Sequence, residues 1–93
     1  MKYTGHEFVD DAQAQYDRLP DRLRAEVLRT LGLLQVNPYL VGTELVGRTS
    51  GREIRRVAAA QGVSMDFRFP ISLRPNSKVP LILAVLSLDL ADL

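Results

Sequence analysis

The chain has 93 residues, 46% hydrophobic and 25% charged, the composition of one small globular domain over 1–93 rather than of a disordered segment. With no cysteine and a single histidine, His6, it excludes a disulfide framework, a thiolate metal site and a clustered imidazole site within one copy, and no metal or cofactor is implied. The formal charge of +1 conceals a strong asymmetry: Arg48, Arg52, Arg55, Arg56, Arg68, Arg74 and Lys78 crowd one stretch against Glu53 and Asp66, leaving five basic and nine acidic side chains elsewhere.

The N-terminus MKYTGHEF has no apolar core of the kind that marks a signal peptide. Residues Lys2 to Glu7 read as a short strand interrupted by Gly5. Asp10 then stands at a helix N-cap, with Gln13 three residues on as in a capping box. Ala12, Tyr16 and Leu19 share a helical face, and Phe8 packs back onto it. Leu19-Pro20-Asp21 ends this helix, because proline disfavours helical geometry in the residue before it. Leu23, Val27, Leu31 and Leu34 form the apolar stripe of a second helix, which Asn37-Pro38 stops. The short connection predicts an antiparallel helical hairpin, and helices this short need an apolar surface to lie on.

The second half of the chain provides that surface as three predicted strands, Glu53 to Ala60, Val63 to Ile71 and Val79 to Leu88. In the middle one Val63, Met65, Phe67, Phe69 and Ile71 alternate with Ser64, Asp66 and Arg68, the period of a sheet with one covered and one open face. Gln61-Gly62 is a tight turn and Arg74 to Lys78 a longer polar loop. The run Leu81 to Leu86, apolar on both faces, reads as the central strand. Val79 to Leu88 is too short to cross a bilayer as a helix, so a cytoplasmic protein with no membrane partner is expected. The order strand, helix, helix, three strands predicts an α+β fold: an N-terminal strand and helical hairpin on one face of a twisted, mostly antiparallel sheet of about four strands. Its open face would present guanidinium groups to an anionic partner such as RNA, DNA or an acidic protein.

Phe8-Val9-Asp10-Asp11-Ala12, Tyr16, Leu19-Pro20, the leucine-rich helix, Asn37-Pro38, Leu45-Val46-Gly47 and the strand Arg52-Glu53-Ile54-Arg55-Arg56-Val57 together resemble the RelE/ParE superfamily of bacterial toxins. The compact helices are closer to the RelE and HigB branches. The resemblance implies the toxin of a type II toxin–antitoxin system, held inactive by a cognate antitoxin. RelE-type members cleave mRNA in the ribosomal A site and so inhibit translation, whereas ParE-type members inhibit DNA gyrase. An inactive relative that only binds antitoxin is a third reading.

Metal-independent RNA cleavage uses the 2′-hydroxyl as nucleophile and needs a base, an acid and cations around the phosphorus. Guanidinium groups suit the last role through paired hydrogen bonds to phosphate oxygens. Arg55 corresponds to the family's strand arginine and Arg68 projects from the open face of the next strand, so these two are the phosphate-contacting candidates. Glu53 is a candidate base, and Arg48, Arg52, Arg56, Arg74 and Lys78 are candidate nucleic-acid contacts. The chain departs from the RelE pattern in two places. Ser64 stands where an arginine is usual, and Ser87 to Leu93 lacks the usual C-terminal histidine or tyrosine. Asp66, two residues from Arg68 on one strand face, reads as its structural partner. The charged stretch Arg48 to Arg56 also admits a plain reading as a strand edge kept charged against aggregation.

Overall fold

Leu23, Val27, Leu31 and Leu34 are all buried along one side of a continuous helix, α2, Asp21–Val36. Pro20 precedes it with φ near −58°, Asp21 places a negative charge in its first turn and pairs with Arg24, and Asn37 ends it in extended geometry. The structure is a computed structural model that describes residues 3–9, 11–71 and 82–90. The preceding helix α1, Ala12–Asp17, is only six residues long. Asp10 lies outside the described residues. The cap position belongs to Asp11, whose side chain makes no capping bond, and Gln13 bonds instead to Asp17, 3.0 Å away. The expected capping box of Asp10 and Gln13 therefore falls outside the described residues.

Five strands form one sheet: β1 Gly5–Phe8, β2 Glu44–Thr49, β3 Arg52–Ala60, β4 Val63–Pro70 and β5 Ile82–Leu90. Their spatial order is β1-β5-β4-β3-β2, with β1 parallel to β5 and every other pair antiparallel. The α+β fold expected from the sequence is present. Strand β2 was not anticipated: nearly all of its residues are exposed, Gly47 sits inside it and a bulge interrupts its pairing between Leu45 and Gly47. An edge strand of that kind carries no alternating pattern to read. Strand β5 is interior, as its consecutive buried Leu83, Ala84 and Val85 require, but β4 occupies the middle position.

Register places Val57 opposite Met65, Arg55 opposite Phe67 and Glu53 opposite Phe69, all on the face beneath α2. Val63, Met65, Phe67, Phe69, Leu83 and Val85 meet the α2 stripe there, while Phe8 and Tyr16 are only partly buried at its margin. Helix α2 is tied to β3 by the Thr30 hydroxyl, which donates to the Ala59 carbonyl at 2.8 Å. Helix α1 lies against β5, where β1 has already ended; Gln15 accepts from the Leu88 N–H at 2.8 Å and satisfies a donor on that uncovered edge. Gly62 makes the β3–β4 turn with φ of 75°, a region closed to most side chains. No helix among the described residues is long and apolar enough to cross a membrane.

Candidate anion-binding site

The turn at Ser50-Gly51 folds β2 back on β3 and sets Arg48 directly opposite Glu53. Glu53 shares the helix-covered face with Arg55, because side chains two apart on a strand project the same way. The result is a buried carboxylate gripped from two sides. Its side chain is 2% exposed; Arg48 Nε donates to one oxygen at 2.9 Å and an Arg55 terminal nitrogen donates to the other at 3.1 Å. Arg55 is 18% exposed and held further by Thr43, whose hydroxyl accepts from Nε at 3.0 Å and whose carbonyl accepts at 3.3 Å. Arg48 is 66% exposed.

Three aromatic rings wall this cluster. Phe69 lies opposite Glu53; Tyr3 and Tyr39 each meet the Phe69 ring edge-on, with centroids 5.9 and 5.4 Å away. The Arg55 guanidinium carbon sits 5.2 Å from the Tyr39 centroid, a cation–π arrangement. Tyr3 is buried, and its hydroxyl donates to the Pro70 carbonyl at 2.7 Å. Burial, with the nearby Tyr39 and Glu53 adding to it, pushes the Tyr3 phenol up to about 12. For Glu53, burial alone would raise the pKa, but the hydrogen bonds and charges of Arg48 and Arg55 outweigh it and hold the carboxyl below its ordinary value. The group stays ionised and has little appetite for a proton. The cluster carries two guanidinium charges and one carboxylate, a net of one positive charge, with Arg48 as its outward part.

The open face of the sheet carries a different set. Arg56 lies opposite Asp66, and its Nε and one terminal nitrogen donate to the two carboxylate oxygens at 2.7 and 3.0 Å. That bond, reinforced by Asp89 and Glu44, makes the Arg56 guanidinium still harder to deprotonate. Asp66 therefore pairs across strands with Arg56 and not along its own strand with Arg68: opposite residues on antiparallel strands are nearer than residues two apart on one strand. Arg68 stands opposite Ile54 and Arg52 opposite Pro70; neither guanidinium has an ion pair or hydrogen bond among the described residues. Among the described residues, the positive charge at this end of the open face is uncompensated.

The cationic residues are thus divided between two faces and do not form the single guanidinium surface expected. Glu53, Arg55 and Arg48 converge beneath the helix side of β2 and β3, whereas Arg52, Arg56 and Arg68 project from the open side. Arg74 and Lys78 lie outside the described residues. Tyr3 and Tyr39 were not picked out as site residues. A tyrosine directly after Asn37-Pro38 is a signal that could have found the second, because a helix-ending turn holds the next side chain over the adjacent strand. Nothing in the local sequence distinguishes Tyr3 from an ordinary strand residue.

No family model matches the sequence, and no curated protein matches it. Among solved structures, a chain of the archaeal RelE–RelB complex from Pyrococcus horikoshii OT3 is similar over 97% of this chain and 96% of that one, with a TM-score of 0.74 and 12% sequence identity. The architecture is that of an α+β sheet-and-hairpin protein; more narrowly, it is a RelE-like fold.

Proposed function

We propose that this protein is the toxin of a type II toxin–antitoxin pair, restrained by a cognate antitoxin, and that it inhibits translation in the cytoplasm by cleaving mRNA on the ribosome. The observation that carries this reading is the end-to-end fold correspondence with a chain of a RelE–RelB complex. Fold alone hosts many functions, so the charge arrangement is the second support. Arg48 offers an exposed guanidinium edge, Arg55 fixes the charge behind it, and Arg52 and Arg68 add two guanidinium groups with no counter-charge among the described residues. Groups of this kind stabilise the charge that develops on a phosphate attacked by its neighbouring 2′-hydroxyl. Arg55 and Arg68 project from opposite faces, so in this reading they serve different phosphates. Glu53, with both oxygens taken and its pKa held down, serves as the anchor of two arginines rather than as the proton acceptor.

That occupied carboxylate favours a second reading, a toxin that acts by binding, as ParE-type proteins do on DNA gyrase, or an inactive antitoxin-binding relative. Induction of the protein followed by mapping of mRNA ends separates the readings. Growth arrest with new, codon-phased ends, relieved by co-expression of a short adjoining reading frame, is expected. Arrest with intact transcripts and gyrase-linked DNA damage would replace cleavage by binding, and unaffected growth with folded protein would leave the inactive relative.

A further inference from the structure

We propose that Tyr39 is a stacking platform for one base of single-stranded RNA, with the exposed edge of Arg48 taking an adjacent phosphate. The proposal rests on the RNA-directed reading above and adds to it the recognition of one base by Tyr39, a residue that reading does not use. Of the chain's three tyrosines and three phenylalanines, Tyr39 is the one whose side chain is exposed to about half its area. Phe67, Phe69 and Tyr3 are buried in the core, and Phe8 and Tyr16 pack against it. One face of the Tyr39 ring is covered by the Arg55 guanidinium, and the edge contact with Phe69 is perpendicular, at 90°. Beside these two contacts the residue still keeps about half of its surface exposed, which leaves room for a planar partner.

The ring is also held in place before any ligand arrives. Asn37 Oδ1 accepts from the Tyr39 N–H at 3.0 Å, the Asn37 carbonyl accepts from Leu40 N–H at 3.2 Å, and the Leu40 carbonyl accepts from Thr43 N–H at 3.0 Å. Pro38 is buried beneath this turn. A rigid ring loses little entropy when a base stacks on it. The cation behind the ring adds favourable electrostatics on the covered face. The phosphate partner is in the same cluster: Arg48 uses only Nε on Glu53, and its two terminal nitrogens bond to none of the described residues. Glu53 links the two halves, gripping Arg48 through one oxygen and Arg55 through the other. A half-exposed aromatic residue joined to an uncommitted guanidinium edge is the pairing that single-stranded nucleic-acid sites use, stacking for the base and charge for the backbone.

The test compares a labelled hexameric oligoadenylate RNA with an abasic hexamer of the same backbone, which keeps the phosphates and removes the bases. The wild type should bind the adenylate more tightly, and Tyr39→Ala should lower its affinity by about 5- to 150-fold, to the abasic level. Tyr39→Phe should retain it, and Arg48→Ala should weaken both oligomers alike. Adenylate binding by folded Tyr39→Ala at wild-type strength overturns the proposal and leaves the RNA reading intact. Loss of binding in Tyr39→Phe also overturns it, because the hydroxyl would then be the recognised group. Failure of the wild type to bind either oligomer removes the RNA reading and the platform with it. Should Tyr39→Ala not fold, tyrosine emission of the wild type still decides. Quenching by the adenylate beyond that by the abasic hexamer supports stacking, and equal emission at saturation overturns it.

Discussion

Arg48 and Glu53 stand opposite each other on β2 and β3, and one of them is two-thirds exposed while the other is almost wholly buried. The pairing converts a carboxylate deep in the sheet into an anchor for a guanidinium at the surface. Arg55 completes it from the same side of β3, so the charge displayed by Arg48 is positioned by two residues that solvent barely reaches. Removing the anchor should therefore disturb both stability and anion binding.

Glu53→Gln leaves Arg55 in a buried setting without its counter-charge. Breaking one partner out of a buried pair costs roughly 3–5 kcal/mol. Arg48 is solvated and Arg55 keeps its bonds to Thr43, so a loss of about 2–3 kcal/mol is expected, at or below that lower end. The pH dependence has a definite sign. The folded pKa of Glu53 is depressed, so its contribution is complete above the ordinary value of 4.5 and disappears as pH falls through the lower folded value. Urea unfolding at a series of acidic pH values should show this loss in the wild type and a flatter profile in Glu53→Gln.

Tyr3 governs the opposite end of the pH scale. Its phenol is held protonated up to about 12 in the fold, against an ordinary 10.0. A raised folded pKa means full stability below the ordinary value and a loss as pH rises from there towards about 12, by up to ~1.4 kcal/mol per pH unit. Tyr3→Phe should remove that alkaline loss. It should also cost about 1 kcal/mol at neutral pH, through the missing bond to the Pro70 carbonyl. Unfolding measured against pH, with tyrosinate absorbance followed in parallel, checks both effects.

The core argument predicts which substitutions unfold the molecule irrespective of activity. Leu31 is fully buried in the α2 stripe, so Leu31→Ala should cost about 2–5 kcal/mol, from lost transfer energy and the cavity left behind. Gly62→Ala probes the backbone alone, since an added Cβ there would meet nothing within 4 Å while φ stays at 75°. About 1–2 kcal/mol is expected for forcing a left-handed conformation on alanine. Thermal unfolding of the two variants should rank Leu31→Ala as the more damaging.

Most of the fold could be read from the chain because its periodicities are strong. The spacing of Leu23, Val27, Leu31 and Leu34 marks α2, and alternation from Val63 to Phe69 marks a strand covered on one face. The site was legible only in part. Strand alternation correctly put Glu53 and Arg55 on one face and Arg56 on the other, but which face the helices cover depends on long-range packing. The Arg48–Glu53 pair depended on β2, whose exposed residues leave no pattern. Tyr3 and Tyr39 reach Phe69 from 66 and 30 residues away, and only the Asn37-Pro38 turn before Tyr39 gives a local hint of such a contact.

The open face yields a charge-based prediction that treats neighbouring arginines differently. Arg56 is neutralised by Asp66 through two hydrogen bonds, whereas Arg52 and Arg68 have no anionic partner among the described residues. Neutralising a phosphate releases a counterion, and for single strands each such contact contributes about 0.7 to the slope of log affinity against log salt. If the open face tracks an RNA backbone, Arg52→Ala and Arg68→Ala should each lower the slope by about 0.7. The double variant Arg56→Ala/Asp66→Ala preserves net charge and removes no uncommitted guanidinium, so its slope should match the wild type. Oligoadenylate binding measured across a salt series tests this directly. Equal slopes for all four proteins would show that the open face does not contact the backbone, and would confine anion binding to the Arg48–Glu53–Arg55 cluster on the other side of the sheet.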